Sequence, residues 1–326
     1  MLFRSGIFMK IVILDGHAVN PGDLSWDFLN QFGEVTVYER TPLEEVANRI
    51  GDADIVLTNK SPVNEEILGV CPNIKLVCVL ATGYNVVDCA ATKKRDIPVC
   101  NVPDYGTAAV AQFTFALLLD LCHKVAHHAQ TVREGKWCEC PDFCYWDTPQ
   151  MELAGKTLGI IGFGRIGRAV GKIANAFGMK VIAYNRSQCE EGKAIGRYVN
   201  LNELLETADI ISLHCPLTAE NTDMINEEAI AKMKDGAILI NTARGPLVDE
   251  AAVAAALESG KLRGFACDVI SAEPMATSNP LKSAPNCIVT PHMAWAPIES
   301  RMRIQDCTQR SIQAFLDGKP INTVNM

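Results

Sequence analysis

Six residues, Gly162-Phe163-Gly164-Arg165-Ile166-Gly167, follow directly on the apolar run Leu158 to Ile161 and open a helical stretch read over Arg168 to Phe177. Three glycines at this spacing, between a buried strand and a helix, commit the chain to a strand–turn–helix unit of a parallel α/β sheet. The first glycine permits the tight turn, the second lets a diphosphate approach the backbone, and the third lets the helix pack on the strand. Amides at the helix start then favour phosphate oxygens. The next strand, from Val181, stands where the motif needs it. A plain glycine-rich turn is therefore the weaker reading, and a dinucleotide is the expected ligand.

The same alternation of apolar runs and helical stretches extends along the chain. Val-, Ile- and Leu-rich runs at 10–16, 53–58, 74–80 and 97–101 predict parallel strands covered on both faces. A second series, TLGIIG, KVIAY, ADIISLH, AILINTA, LRGFACDV and a last strand around 287–290, completes a second doubly wound sheet. Between the two series one long helix is expected from about Thr107 to Arg133, a spine between domains. Its most apolar part, Thr107 to Leu121, is interrupted by Gln112, Thr114 and Asp120 and falls short of the ~20 residues of a membrane span. A terminal helix over about 297–316 is expected to return to the first domain. The expected fold is α/β, with two doubly wound parallel-sheet domains, the second a Rossmann dinucleotide-binding domain; 326 residues suit two such cores. The boundaries fall at 1–101 plus 297–326 for one domain and 102–296 for the other.

A net charge of −8 argues against nucleic acid or an anionic membrane as partner, because phosphates attract Lys and Arg surfaces. A local Arg still admits a small anionic substrate. Thirteen cysteines, an odd number without regular spacing, indicate a reducing cytoplasm. Cys138, Cys140 and Cys144 cluster, but no His-x-His or second CxxC accompanies them, so free thiols rather than a metal site are expected. The opening MLFRSGIFMK is too short for a secretory signal and lacks a small-residue cleavage site; Met9 is an alternative start.

An acidic residue about 20 positions after the glycine loop would bind the ribose 2′-hydroxyl. Tyr184-Asn185-Arg186-Ser187 stands there instead. Asn185 cannot repel a 2′-phosphate as Asp would, and Arg186 either pairs with one or is a solvated loop residue. NAD and NADP stay open alike.

Reducing a 2-oxo acid needs a cation for the carboxylate and ketone, and an acid that protonates the oxygen as hydride arrives. Arg244 after AILINTA, Glu273 after FACDV and His292 in Thr290-Pro291-His292 all follow the carboxyl ends of strands, where ligands of such sheets bind. A guanidinium offers two parallel donors to a carboxylate. A Glu bonded to one imidazole nitrogen turns the other toward substrate. Each alone has a bland alternative: a strand cap, a solvated acid, a satisfied buried His. Of the other five histidines, His123, His127 and His128 are expected to face solvent on the long helix, and His17 and His214 to lie near strand ends.

With GFGRIG at 162–167, HCPLT at 214–218, NTARGPLVDE at 241–250, DVISAEP at 268–274 and TPHMAWAP at 290–297, nearly the whole chain resembles the D-isomer-specific 2-hydroxyacid dehydrogenases. The resemblance implies that Arg244, Glu273 and His292 are the catalytic trio. It implies cofactor contacts at Gly162, Gly164, Arg165, Ile166, Gly167, Asn185, Arg186, Ser187, Thr107, His214, Cys215, Pro216 and Ala243, with Asp268 bonding the nicotinamide carboxamide. The loop of Thr82 and Gly83 is implied to hold the substrate carboxylate through backbone amides. It further implies that the two termini build a substrate domain, that clefts close between domains, and that the chain is a homodimer. Ala294-Trp295, where many relatives carry two glycines, is most similar to the glycerate dehydrogenase or hydroxypyruvate reductase branch. In similar enzymes an aromatic after the spine helix enters the neighbouring active site; Trp146 is the candidate, with an interface-packing Trp the equal alternative.

The function expected is hydride transfer between NAD(P)H and hydroxypyruvate or glyoxylate. D-lactate dehydrogenase is the nearby alternative, and a dinucleotide-sensing binding protein of the same fold the alternative from another class.

Overall fold

The apolar runs become two all-parallel sheets. In the computed structural model, which describes residues 8–326, five strands make the first: β1 (Met9–Ile13), β2 (Gly33–Val37), β3 (Ile55–Thr58), β4 (Leu76–Val79) and β5 (Val99–Cys100), in the order β2-β1-β3-β4-β5. Helices α1 (Val46–Ile50), α2 (Glu65–Val70) and α3 (Cys89–Lys94) connect them. Ile11, Ile13, Ile55, Leu57 and Leu76 are buried, as strands covered on both faces require. β2 lies outside the apolar runs visible in the sequence; as an edge strand it buries only Gly33 and pairs with β1 alone. The reading of the N-terminus as no secretory signal falls mostly on residues 1–7, outside the described residues.

The chain divides into two compact units. One holds the described residues up to Tyr105 together with Ala296–Met326, the other Gly106–Trp295. In the first, the terminal helix (Ile298–Leu316) is tied by the buried Arg301, whose fork donates to both carboxylate oxygens of Asp23 at 2.6 Å. That guanidinium holds the Asp23 carboxyl below the usual carboxylate range. Asn325, also buried, accepts from the Val99 amide and donates to Thr92 and to the Ile97 carbonyl, stitching the last residues to β5.

The second unit begins with α4 (Thr107–His123) and α5 (Val125–Arg133). Its sheet runs β12-β11-β10-β9-β6-β7-β8, with β6 (Thr157–Ile161), β7 (Lys180–Tyr184), β8 (Arg197–Tyr198), β9 (Ile210–Leu213), β10 (Ala237–Asn241), β11 (Leu262–Cys267) and β12 (Cys287–Val289). Between strands lie α6 (Arg165–Ala176), α7 (Glu190–Ile195), α8 (Leu201–Thr207), α9 (Glu227–Lys232) and α10 (Glu250–Glu258); the terminal helix is α11. Strand order reverses between β6 and β9, and that switch point is where such sheets leave a crevice. The two-residue β8 is too short to leave a periodic signal. Helix α6 starts at Arg165, three residues before the start read from sequence, so the glycine loop leads into it without a spacer.

The long helix expected over 107–133 is two helices bent by 54°. Lys124 sits between them in the left-handed region, φ 50° and ψ 45°. Its amide reaches Asp120 O at 2.8 Å, and the Cys122 carbonyl accepts from Met151 N at 3.3 Å instead of from the next helical turn. Nine residues of α4 are buried and none of α5, which is held past the bend by polar contacts with the loop that follows it, Thr131 Oγ1 to Tyr145 Oη at 2.7 Å among them. Nor do the helix histidines simply face solvent. His127 Nε2 lies 3.2 Å from Asp147 Oδ2, and His128 Nε2 accepts from Asp147 N at 3.0 Å, pinning the loop after α5. Among the described residues no single helix is long and apolar enough to cross a membrane.

Lys124→Gly should raise the unfolding free energy by about 0.5–1 kcal/mol, because glycine relieves the left-handed strain. Inside a continuous helix the same change would cost about 1 kcal/mol. The sign of the change in urea unfolding decides between the two.

Candidate active site

At the switch point the three glycines of the loop separate into distinct tasks. Gly162 has φ +92°, and a Cβ there would lie 2.3 Å from the Cys215 amide at the end of neighbouring β9. A Cβ on Gly167 would lie 2.2 Å from Gly162 O, so the helix closes onto its own turn only with glycine at that position. Above Gly164 there is open space, with nothing within 4 Å of a built Cβ. Gly164 is the N-cap of α6 and offers no side chain to the first-turn amides. An open cradle over uncapped amides, at the positive end of a helix dipole, fits a dinucleotide diphosphate.

Asn185, at the end of β7, is built into this loop. Its Oδ1 accepts from Phe163 N at 3.1 Å and its Nδ2 donates to Ser187 O at 2.7 Å. An Asp could make the first bond but not the second. Arg186 and Ser187 are exposed. Glu220, in the loop after β9, is held below the usual carboxylate range by the Thr218 hydroxyl first and more weakly by Arg186.

On the other side of the switch point, β10 ends in Asn241, buried to 1% exposure. Its Oδ1 accepts from Ala243 N at 3.0 Å and its Nδ2 donates to Arg244 O at 2.9 Å, which fixes the turn that carries Arg244. The exposed Arg244 side chain donates once, to Ala243 O at 2.7 Å, and the rest of its fork has no partner among the described residues. Gly245 presses on the loop after β11 so closely that a Cβ would lie 1.9 Å from Ile270 C. That loop carries Glu273. Glu273 Oε2 lies 2.7 Å from His292 Nδ1, with the two side chains 39% and 38% exposed. The structure therefore brings Glu273 and His292 together and sets the turn of Arg244 in backbone contact with the loop of Glu273.

His292 itself has φ +53°. Asp268, at 1% exposure, holds this segment: its Oδ1 accepts from Thr290 Oγ1 at 2.6 Å and Met293 N at 2.9 Å, and its Oδ2 from Ala294 N at 2.7 Å. Trp295 Nε1 donates to His292 O at 2.8 Å. Sequence reasoning missed this anchoring role of Asp268, and that of Asn241. The available signal was a polar residue closing an apolar run, as in ILIN and FACD.

The remaining candidates are dispersed. Thr107 opens α4, and Ala243 is buried in the Arg244 turn. Thr82, in the first unit, donates to Val102 O at 2.7 Å and accepts from Asn101 Nδ2 at 2.8 Å, fixing the turn that includes Gly83. Trp146 is 66% exposed on the loop after α5, beside the exposed Trp137 and Phe143. In the same loop Cys140 Sγ donates to Cys144 O, and among the described residues no cluster of His, Cys, Asp or Glu is arranged to hold a metal.

His214, leading into Cys215 and Pro216, closes the wall against Gly162. Its Nε2 lies 2.7 Å from Ser212 Oγ, and its Nδ1 is buried with no partner among the described residues. Burial pushes the imidazole pKa down to about 3 from an ordinary 6.5. The ring's contribution to stability is thus intact above pH 6.5 and is lost as pH falls from there toward 3, because the unfolded chain takes up the proton first. Between pH 7 and 5 this amounts to about 2 kcal/mol. Urea unfolding of His214→Gln should show a loss over that interval smaller than wild type by about this amount; equal losses would mean that the ring ionises freely in the fold.

The family model described as D-isomer specific 2-hydroxyacid dehydrogenase, NAD binding domain, matches residues 115–294, more than half of the chain. A hydroxypyruvate reductase of Blautia hydrogenotrophica is 55% identical, over 97% of this chain and 100% of its own length. Among solved structures, an acyclic imino acid reductase in complex with NADPH and D-Arg aligns with TM-score 0.83 at 32% identity, covering 97% of this chain and 100% of that one. A D-lactate dehydrogenase of Aquifex aeolicus, complexed with NAD and lactic acid, aligns with TM-score 0.81 at 33% identity over 97% and 99%. The matched domain is the one whose glycine loop, switch point and strand-end trio are described above, and by these likenesses the chain belongs to the D-isomer-specific 2-hydroxyacid dehydrogenases.

Proposed function

We propose that the protein reduces hydroxypyruvate and glyoxylate with NADH or NADPH and, in reverse, oxidises D-glycerate and glycolate. The observation that carries this reading is the 2.7 Å contact of Glu273 with His292, on a loop in backbone contact with the turn of Arg244. The likeness to a hydroxypyruvate reductase over its full length supports the substrate.

The loop Gly162–Gly167 would hold the dinucleotide, which would supply or take up the hydride at C2 of the acid. The unpaired part of the Arg244 fork holds the substrate carboxylate and polarises its ketone. His292 Nδ1 faces Glu273, which leaves Nε2 as the atom that gives a proton to the ketone oxygen in reduction and takes it from the hydroxyl in oxidation. Glu273 stabilises the imidazolium and fixes its orientation.

Both cofactors suit the 2′ site. Asn185 presents no negative charge, and Arg186 is exposed beside Ser187 where a 2′-phosphate would need a cation. One similar structure holds NADPH and another NAD. We infer a reducing cytoplasm, in keeping with thirteen free cysteines. We further infer a homodimer. An apolar groove of about 610 Å³, lined by Ala111, Phe115, Leu119, Ile173 and Phe177 along α4 and α6, and the exposed Trp137, Phe143 and Trp146 together offer the apolar area a second copy would cover.

Oxidation of NADH and NADPH, followed by absorbance with hydroxypyruvate, glyoxylate and pyruvate, should show turnover with both cofactors and the highest kcat/KM on hydroxypyruvate; preference for pyruvate would make the enzyme a D-lactate dehydrogenase. Arg244→Ala should cut kcat/KM by about a thousandfold and raise KM for the acid, because the fork binds the ground-state carboxylate as well. Sedimentation equilibrium should give twice the chain mass of 35.5 kDa.

A further inference from the structure

Glu250, the first residue of α10, belongs to neither the glycine loop nor the trio, yet both its carboxylate oxygens are committed. Oε1 accepts from Ser271 N at 2.6 Å and Oε2 accepts from Asn279 Nδ2 at 2.7 Å. Those two partners bracket the segment that carries Glu273. Residues 271–274 are exposed and belong to no strand or helix, so their own packing does little to fix them. Asn279 cannot turn its amide round: its Oδ1 already accepts from Leu281 N at 2.9 Å as the cap of the short turn Pro280–Lys282, and only its nitrogen faces Glu250. At the near end of the same segment Gly245 closes on Ile270 and Ser271. Residues 241–250 therefore carry Arg244 and hold the Glu273 loop at two points, through Gly245 beside Arg244 and through Glu250 at the far end.

We propose that Glu250 is a positioning residue, which sets Glu273, and through it the direction of His292, relative to Arg244. This rests on reading Glu273 and His292 as the proton-transfer pair. Two acceptors are required at this position. Glu250→Gln leaves one, and the new NH₂ would meet the NH₂ of Asn279, donor against donor. Exchanging the two chemistries, by adding Asn279→Asp, repairs the contact without changing net charge. In that double variant the carboxamide at position 250 still accepts from Ser271 N and donates to the carboxylate at position 279, whose other oxygen still accepts from Leu281 N.

Three proteins test this: wild type, Glu250→Gln, and Glu250→Gln with Asn279→Asp, all checked for fold by circular dichroism. Glu250→Gln should lower kcat for hydroxypyruvate ten- to a hundredfold, roughly what a displacement of about 1 Å costs. Its Kd for NADPH, read from cofactor fluorescence, should stay within about twofold of wild type, since the glycine loop is elsewhere. The double variant should recover most of kcat. Hydrogen exchange at the amides of 270–279 should quicken in Glu250→Gln and return in the double variant. Normal kcat in Glu250→Gln, or a folded double variant that recovers neither kcat nor protection, overturns the proposal. A wild-type protein that reduces no 2-oxo acid defeats the functional reading instead, and the exchange data still decide whether Glu250 holds the loop.

Discussion

A carboxylate buried at the end of β11 is the constraint on which the site depends. Asp268 is 1% exposed and has no cation partner among the described residues; its two oxygens are met by one hydroxyl and two amides. Leaving any of these buried polar atoms without its partner would cost about 1–3 kcal/mol, which makes any loosening of the segment costly. All three donors lie between Thr290 and Ala294, so the strand end dictates the path of the chain around His292. His292 adopts φ +53°, a conformation that disfavours an L residue by about 1–2 kcal/mol and persists only where neighbours over-determine it. Asp268 behind it and the Trp295 indole on its carbonyl provide that. The backbone thus brings the His292 ring to Glu273, whose carboxylate then fixes the direction of the imidazole.

The same fact qualifies what resemblance alone implies for Asp268. A carboxylate has about four acceptor positions, and the chain itself uses three. Asn185 is similar, because both ends of its carboxamide are spent on the glycine loop and on Ser187. A residue that reads from sequence as a cofactor contact can thus be, first, a tie within the protein.

Legibility in the sequence follows the range of the forces. The parallel strands, the glycine loop and the strand-end positions of Arg244, Glu273 and His292 were readable because burial on two faces and tight turns leave local composition signals. The helix break at Lys124 was not, since residues 120–126 contain neither Pro nor Gly, the residues that usually mark such a break. β2 was missed because an edge strand need not be apolar. The contact of Gly245 with Ile270 joins residues 25 positions apart, and nothing periodic marks it.

One local pattern nevertheless recurs across the sheet. β9 carries Ser212, β10 ends in Asn241, and β11 leads directly into Asp268, each at most 1% exposed and each bonded into the loop that follows or lies beside it: to His214, to Ala243 and Arg244, and to Thr290 through Ala294. In the first unit the half-buried Asp15 after β1 plays a similar part, accepting from the amides of Asn59, Lys60 and Ser61. A buried polar atom without a partner costs about 1–3 kcal/mol, so each of these side chains admits only loop conformations that satisfy it. Main-chain pairing fixes where a strand ends, and the polar residue at that end converts position into loop geometry. The turns that carry Arg244 and His292 can then leave those side chains half in solvent, because the strand-end polar atoms that fix the turns are buried.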